Sequence, residues 1–579
     1  MTEEPKDLQR AEADTVMFAS LRAVLPNPTT ENRFTDLDRA LPGRPGVPGG
    51  PPVAPGSRSA RHHHRKPAER PVVSPSRRVW LSRGVLVLIM ALQAALTLRM
   101  SNTAFEDEAL YLYVGHLEIQ HFLHGASLQG DYPSYFSGAP VLYPVLGAIA
   151  DKIGGLAAAR ALSLAEMLAV TGLIYAMSKR LFNERVALCA AVVYAVTEPA
   201  LFLGHLATYD ATALFLLTVA TWLVVRFSDG RWPLYLLAAP VLTLAVATKY
   251  ATLLWVPSVI LLAGLTSSPK IGRRALATSA ALAAATVAML VGAVYLAGPD
   301  YMAGFKFTTL DRFEGNATTS SLLWDSAQWI GVPFLLAVIG VICWTLRPFT
   351  DRVEREGPGG SRVRRALLGS LMAGSALLAP IDQIHIHTET SLFKHVGFGL
   401  MIAAPIAGVG LSRVIGDHFR RTQIGIAIWG LSLVVGMSTA NSQFDGWPNS
   451  TVFIKDFSRY LTPHGRYLVE VEEVPIYYLR HNPDAEPDQF TSTFYFGYVV
   501  NGVYTTGDPA YVAAIKDGYF NVISYNYMTT EAVDGVIGQA LATNPDYSLA
   551  AVIPIPNDDS NQYIWVKTGN GKNGNAKTG

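Results

Sequence analysis

Ala275-Leu-Ala-Thr-Ser-Ala-Ala-Leu-Ala-Ala-Ala-Thr-Val-Ala-Met-Leu-Val-Gly-Ala-Val-Tyr-Leu-Ala297 carries no charged residue and follows directly on Arg273 and Arg274. A helix crosses the hydrocarbon core of a bilayer with about 20 apolar residues, so this stretch predicts a transmembrane span. Working outward, comparable runs lie at 80–100, 156–178, 186–203, 204–226, 232–248, 249–266, 327–346, 366–384, 392–412 and 422–440. Together they predict about eleven spans by hydropathy. The composition requires the same answer. Of 579 residues 50% are hydrophobic and only 16% charged, whereas soluble chains carry roughly 25% charged residues. The expected fold class is mainly α, a polytopic transmembrane helical bundle over residues 80–440.

Other classes are excluded by simple counts. A formal net charge of +1 leaves no basic field for nucleic acid. Two cysteines, Cys189 and Cys343, both inside apolar runs, exclude a disulfide scaffold and a cysteine-based metal site.

The flanks read differently. Residues 1–79 lack sustained apolar periodicity and are rich in Pro and Gly, then in Arg and His, which predicts a disordered basic arm. Residues 441–579 hold short β-rich runs (466–471, 519–525, 548–554, 562–567) alternating with amphipathic stretches at 510–517 and 531–543. That alternation predicts a small α/β domain, ending in a frayed Gly/Asn/Lys terminus at 568–579. Basic residues sort by side. Arg180, Arg274, Arg365 and Arg421 fall in one set of loops, while the other set holds only Lys152, Lys249, Lys306, Arg312 and Lys394. The positive-inside rule then predicts a cytoplasmic N-terminus and an extracytoplasmic C-terminal domain in a multi-pass, plasma-membrane protein.

The first outer loop, about 101–155, opens with Asn102-Thr-Ala-Phe-Glu-Asp-Glu-Ala-Leu-Tyr-Leu-Tyr-Val-Gly-His116. Asp107 and Glu108 read either as an acidic helix start, where carboxylates are favoured, or as a site. Lys249 lies inside a long apolar region, where a lysine is functional or snorkels to the interface. Asp210 and His205 read as polar helix-end residues or as support for a site. Arg160 has Glu166 as an alternative structural partner. In extended conformation His385, His387 and Glu389 would share one face by the period of two, a set that could hold a divalent ion.

The motifs resemble, in order, those of GT-C-fold membrane glycosyltransferases of the protein O-mannosyltransferase and aminoarabinose-transferase group. Asp107-Glu108-Ala109-x-Tyr111 resembles that group's acidic motif, and Ala139-Pro140-Val-Leu-Tyr-Pro144 its proline–aromatic stretch. Arg160 before Ser163, Leu181-Phe182-Asn183, Thr208-Tyr209-Asp210 and Thr248-Lys249 follow in the expected places. The resemblance implies a GT-C catalytic module that transfers a sugar, with inversion, from a polyprenyl-phosphate donor to a hydroxyl of a glycan, lipid or protein at the outer membrane face. It implies Asp107 as general base, with Glu108 beside it as an orienting group or a helix cap. Lys249, Lys394 and Arg160 would then be phosphate ligands, and Asp210, Tyr111 and His205 supporting residues. Lys394 is followed by His395 where the group often has an aromatic residue. No cofactor is required, and a divalent metal remains open. A lipid-linked sugar transporter would also place charges in a helical bundle, yet it predicts internal symmetry, and no repeat is found. A non-catalytic scaffold presenting the C-terminal domain is the third reading.

Overall fold

The computed structural model describes residues 75–128, 130–230, 232–268, 271–312, 314–346, 361–416, 419–555 and 560–569. The expected basic arm therefore lies outside the described residues up to 74, and the first helix begins at Pro75. Most of the expected frayed end, 570–579, lies outside them too.

Nine described helices are long and apolar enough to cross a membrane: Trp80–Thr97, Tyr143–Leu181, Tyr209–Phe227, Tyr250–Ser267, Arg273–Ala297, Thr319–Leu346, Arg362–His385, Leu392–Ile415 and Thr422–Asp445. The chain is thus a multi-pass membrane protein. Two of the eleven expected spans differ. The run at 186–203 is a broken segment, Glu184–Tyr194 followed by Glu198–His205 at a bend of 75°. Thr197 is extended there and Pro199 opens the new first turn, a place where the missing N–H costs nothing. The run at 232–248 becomes the shorter apolar helix Leu234–Thr248. Apolar composition alone could not distinguish these from uninterrupted crossings.

Helix Leu392–Ile415 is the hub, with 83% of its most apolar window buried, whereas that of Arg273–Ala297 is only 11% buried and faces the lipid. Small residues allow the close approach. A Cβ on Gly410 would lie 1.9 Å from the Leu336 carbonyl oxygen, and one on Gly340 2.1 Å from that of Ile406, so backbones meet as small-residue helix interfaces require. The Tyr143–Leu181 helix kinks at Gly154 and Gly155, the latter at φ 67°, a left-handed conformation that favours glycine. Residues 143–153 thus form a separate segment leading into the span.

The C-terminal domain carries a five-stranded sheet in the order β2-β1-β5-β7-β6. Its strands are β1 (Tyr467–Val469), β2 (Phe490–Ser492), β5 (Val522–Tyr525), β6 (Tyr547–Pro554) and β7 (Asn561–Lys567). β1 runs parallel to β2 and β5, and β7 antiparallel to β5 and β6. A separate hairpin joins β3 (Gly497–Val500) to β4 (Val503–Thr506), turning at Asn501 and Gly502, both with positive φ. Helices Asp508–Lys516 and Glu531–Thr543 match the two amphipathic stretches. β2, the hairpin and helix Glu473–Leu479 were not legible in the pattern.

Candidate active site

The loop after the first span is clamped from both sides. Trp447 Nε1 donates to the Ala104 carbonyl at 2.9 Å, and the Ala104 N–H donates to the Tyr478 hydroxyl at 2.8 Å. Asn102 Nδ2 donates to the carbonyls of Phe444 (2.9 Å) and Trp447 (2.7 Å), while Phe105 stacks on Trp447 with centroids 5.2 Å apart. Phe105, in extended conformation, then caps helix Glu106–His124, its N–H donating to Glu108 Oε2 at 3.0 Å. The three acids of the first turn complement the positive end of the helix.

Glu108 is fully buried and serves as a strut. Besides the Phe105 N–H, Arg160 meets it through Nε (2.8 Å) and Nη2 (2.6 Å), and the Ala207 N–H adds a fourth donor at 2.7 Å. Arg160 also donates to the carbonyls of Asn102 and Thr103. Two expectations change here. Arg160 does not pair with Glu166, which accepts instead from Thr212, and its guanidinium is engaged by the loop that it braces rather than turned toward a phosphate. Glu108 is a helix cap and ion-pair partner, one of the alternatives left open for it.

Asp107 emerges at the edge of this frame with 17% of its side chain exposed. One carboxylate oxygen accepts a short hydrogen bond from Lys394 Nζ; the other lies 3.1 Å from the Tyr111 hydroxyl. That hydroxyl is 2.5 Å from the Tyr209 hydroxyl, which in turn bonds Ser137 Oγ. Sequence reasoning missed Ser137 and Tyr209, although Tyr209 stood inside a quoted motif.

A second ion pair lies alongside. Lys249 Nζ is 2.5 Å from Asp210 Oδ1, both side chains are buried, and the ammonium rests 4.8 Å from the centroid of the Tyr209 ring. Thr208 donates to the other Asp210 oxygen at 2.9 Å. Lys249 is held where helix Ala238–Thr248 ends in an extended residue. The Ala139 N–H donates to the Ala247 carbonyl and the Tyr250 N–H to that of Ser137, each at 2.8 Å. Gly138 permits this seam, since a Cβ there would lie 2.0 Å from the Thr248 oxygen. Asp107, Asp210, Lys249 and Lys394 thereby form one cluster of alternating charge.

Other expected residues fall elsewhere. His205 packs against the Phe444 ring, centroids 5.2 Å apart, within electrostatic reach of Arg160 and Glu108 rather than of Asp210. His385 ends a helix and His387 has φ 49°, so the extended segment that would align them with Glu389 is not formed. Glu389 accepts from Ser321 at 3.1 Å, and no set of three metal-ligating side chains is gathered among the described residues. A helix-terminal turn has replaced the assumed period of two.

An apolar cleft of about 520 Å³ is walled by Val141, Leu142, Leu290, Val294 and Phe305 among others, together with Ala247 and Tyr250, which flank Lys249 in the chain. Across the site, Glu472 and Glu473 stand at the start of helix Glu473–Leu479. Burial holds both carboxyls above the ordinary range, aided for Glu472 by the charge of Glu473 and for Glu473 by that of Asp107. The same helix anchors the C-terminal domain through Asp151, which receives the Tyr477 hydroxyl (2.5 Å), Arg480 Nη2 (3.0 Å) and His116 Nε2 (2.7 Å).

Architecture and site together define the class: a membrane protein of the GT-C glycosyltransferase fold. More particularly, residues 139–297 match the family model for dolichyl-phosphate-mannose-protein mannosyltransferase, a stretch that includes Arg160, Asp210 and Lys249. Among solved structures the chain is similar to ArnT from Cupriavidus metallidurans bound to undecaprenyl phosphate, with TM-score 0.55, 14% identity, and coverage of 86% of this chain and 99% of that one. It is also similar to the archaeal oligosaccharyltransferase AglB from Archaeoglobus fulgidus, in complex with an inhibitory peptide and a dolichol-phosphate. There the TM-score is 0.51 at 13% identity, covering 81% of this chain and 72% of that one. No curated protein sequence matches.

Proposed function

We propose that this protein is an inverting glycosyltransferase that moves a sugar from a polyprenyl-phosphate donor to an acceptor hydroxyl of a glycan, lipid or protein on the outer membrane face. The observation that carries the reading is the meeting of Asp107, Lys394, Lys249 and Asp210, with the apolar cleft lined by Ala247 and Tyr250 on either side of Lys249 in the chain. The cleft suits an isoprenoid chain, and the two ammonium groups suit its phosphate. The undecaprenyl phosphate bound to the similar ArnT supports that assignment.

In this reading the acceptor hydroxyl gives its proton to the Asp107 carboxylate as its oxygen attacks the anomeric carbon from the face opposite the phosphate. The bond from anomeric carbon to phosphate oxygen breaks, and its electron pair leaves with the polyprenyl phosphate. Lys249 and Lys394 stabilise the charge that develops there. Tyr111 steadies the base through the oxygen that Lys394 does not occupy. Arg180 and Arg274 meet at the Asp229–Gly230 turn, a basic grouping which under the positive-inside rule supports a cytoplasmic N-terminus and an outer C-terminal domain.

The test is transfer from a radiolabelled polyprenyl-phosphate sugar in reconstituted membranes. Asp107→Asn should elute as a monodisperse protein, bind undecaprenyl phosphate nearly as the parent does, and lose about 10²–10⁴-fold in transfer. A folded variant that turns over at the parent rate refutes the base assignment. A parent that carries the intact donor across the bilayer without transferring its sugar makes the protein a transporter.

A further inference from the structure

We infer that His395 is a further ligand of the donor phosphate, contacting it through Nε2–H; the inference rests on the polyprenyl-phosphate reading of the site. His395 follows Lys394 in the N-terminal turns of helix Leu392–Ile415 and is only 6% exposed. Its Nδ1 lies 3.4 Å from Gln383 Nε2, an amide that can only donate. With the Gln383 amide oriented as donor, Nδ1 accepts and the ring proton is on Nε2. That N–H is buried and has no hydrogen-bond partner among the described residues.

The surroundings say what it awaits. Lys249, Lys394 and Arg312 all bear electrostatically on the ring, and the nearest aromatic neighbour, Phe398, offers a ring centroid 6.5 Å away in edge geometry rather than an acceptor. A cationic ligand is disfavoured among three positive side chains. A buried N–H within reach of that much positive charge is completed by an anion with acceptor oxygens, and the start of a long helix adds its own preference for one. Lys249 and Lys394 are already balanced by Asp210 and Asp107. An incoming phosphate monoester or diester therefore finds in His395 a buried nitrogen donor with no competing internal acceptor.

Binding to the purified full chain in lipid nanodiscs tests this, with undecaprenyl phosphate, undecaprenol and inorganic phosphate as probes against parent, His395→Gln and His395→Leu. His395→Leu should weaken undecaprenyl phosphate binding by about tenfold or more, the loss expected for a hydrogen bond to a charged group. His395→Gln, which keeps an N–H, should recover most of it, and undecaprenol should bind all three proteins alike. Inorganic phosphate should compete only weakly, because the lipid supplies the cleft contacts. His395→Leu and His395→Gln both binding undecaprenyl phosphate as the parent does overturns the inference while leaving the proposed function intact. Equal losses for undecaprenol and undecaprenyl phosphate make His395 a packing residue and overturn it too. A parent that fails to prefer undecaprenyl phosphate over undecaprenol overturns the underlying reading itself.

Discussion

Lys394 closes an ion pair with Asp107 across 287 residues of sequence. With Tyr111 at the other oxygen, the carboxylate has both of its faces engaged before any substrate arrives. In that state an acceptor hydroxyl has to compete with two donors already bonded to the carboxylate. In the proposed reaction a phosphate that attracts Lys394 frees that oxygen, so donor binding would also release Asp107 toward the acceptor hydroxyl. Steady-state kinetics should show donor binding before acceptor. A random order with unchanged acceptor affinity in the absence of donor would count against this coupling.

Lys394→Ala should lower affinity for undecaprenyl phosphate by about 10- to 150-fold, the range for a charge-assisted hydrogen bond. A direct binding titration decides it. Unaltered affinity in a folded variant would leave Lys394 as a partner of Asp107 only.

Lys249 is different, because its removal strands Asp210 in a buried setting. Lys249→Met should destabilise the protein by about 3–5 kcal/mol, the range for breaking a buried pair from one side. Lys249→Met combined with Asp210→Leu should recover most of that melting temperature without recovering donor binding. Recovery of both would make the pair purely structural.

The outer domain carries a pH dependence of defined sign. Glu470 is buried and accepts N–H groups from Asn526, Thr529 and Thr530. Asp534 sits beside it, bonded by Thr530 Oγ1 at 2.9 Å, and burial with the Glu470 charge holds its carboxyl well above the usual range. The folded state keeps a proton that the unfolded chain loses above about pH 4. Stability from this group therefore falls as pH rises through and beyond the ordinary carboxylate range. Melting of the purified protein between pH 5 and pH 8 should show that slope, and Asp534→Asn should flatten it. An unchanged slope would remove Asp534 from the account.

Sidedness can be read chemically. A cysteine at Ser57 should resist an impermeant thiol reagent in intact cells, and one at the exposed hairpin residue Asn501 should react. Labelling of the first and not the second reverses the orientation.

The membrane architecture was legible because an uncharged helix-length run such as 275–297 has few other physical solutions. The bend at Thr197 was not, since apolar residues continue through it and only Pro199 marks the break. Asp107 stood out by its position after a span, yet its partner lies so far along the chain that no local pattern joins them. The roles of Arg160 and Glu108 depend on the same kind of distant meeting. The histidine set failed for a local reason: a period of two presumes an extended strand, and helix Leu378–His385 runs into a turn instead. In the C-terminal domain, β1 was readable from its apolar run, whereas β2 is three residues long and gains its pairing only from β1.

The grip of Trp447 and Tyr478 on the Ala104 peptide sets the order of assembly. Ribosomal synthesis delivers the loop bearing Asp107 early, but the groups that fasten it arrive more than 340 residues later. Until then the first loop is held from the side of Arg160 and Ala207 and lacks its second clamp. A chain stopped after the last span therefore holds both lysines and both aspartates and still lacks Tyr478 and the helix that carries it. The frame around Asp107 is therefore complete only with residues of the C-terminal domain in place.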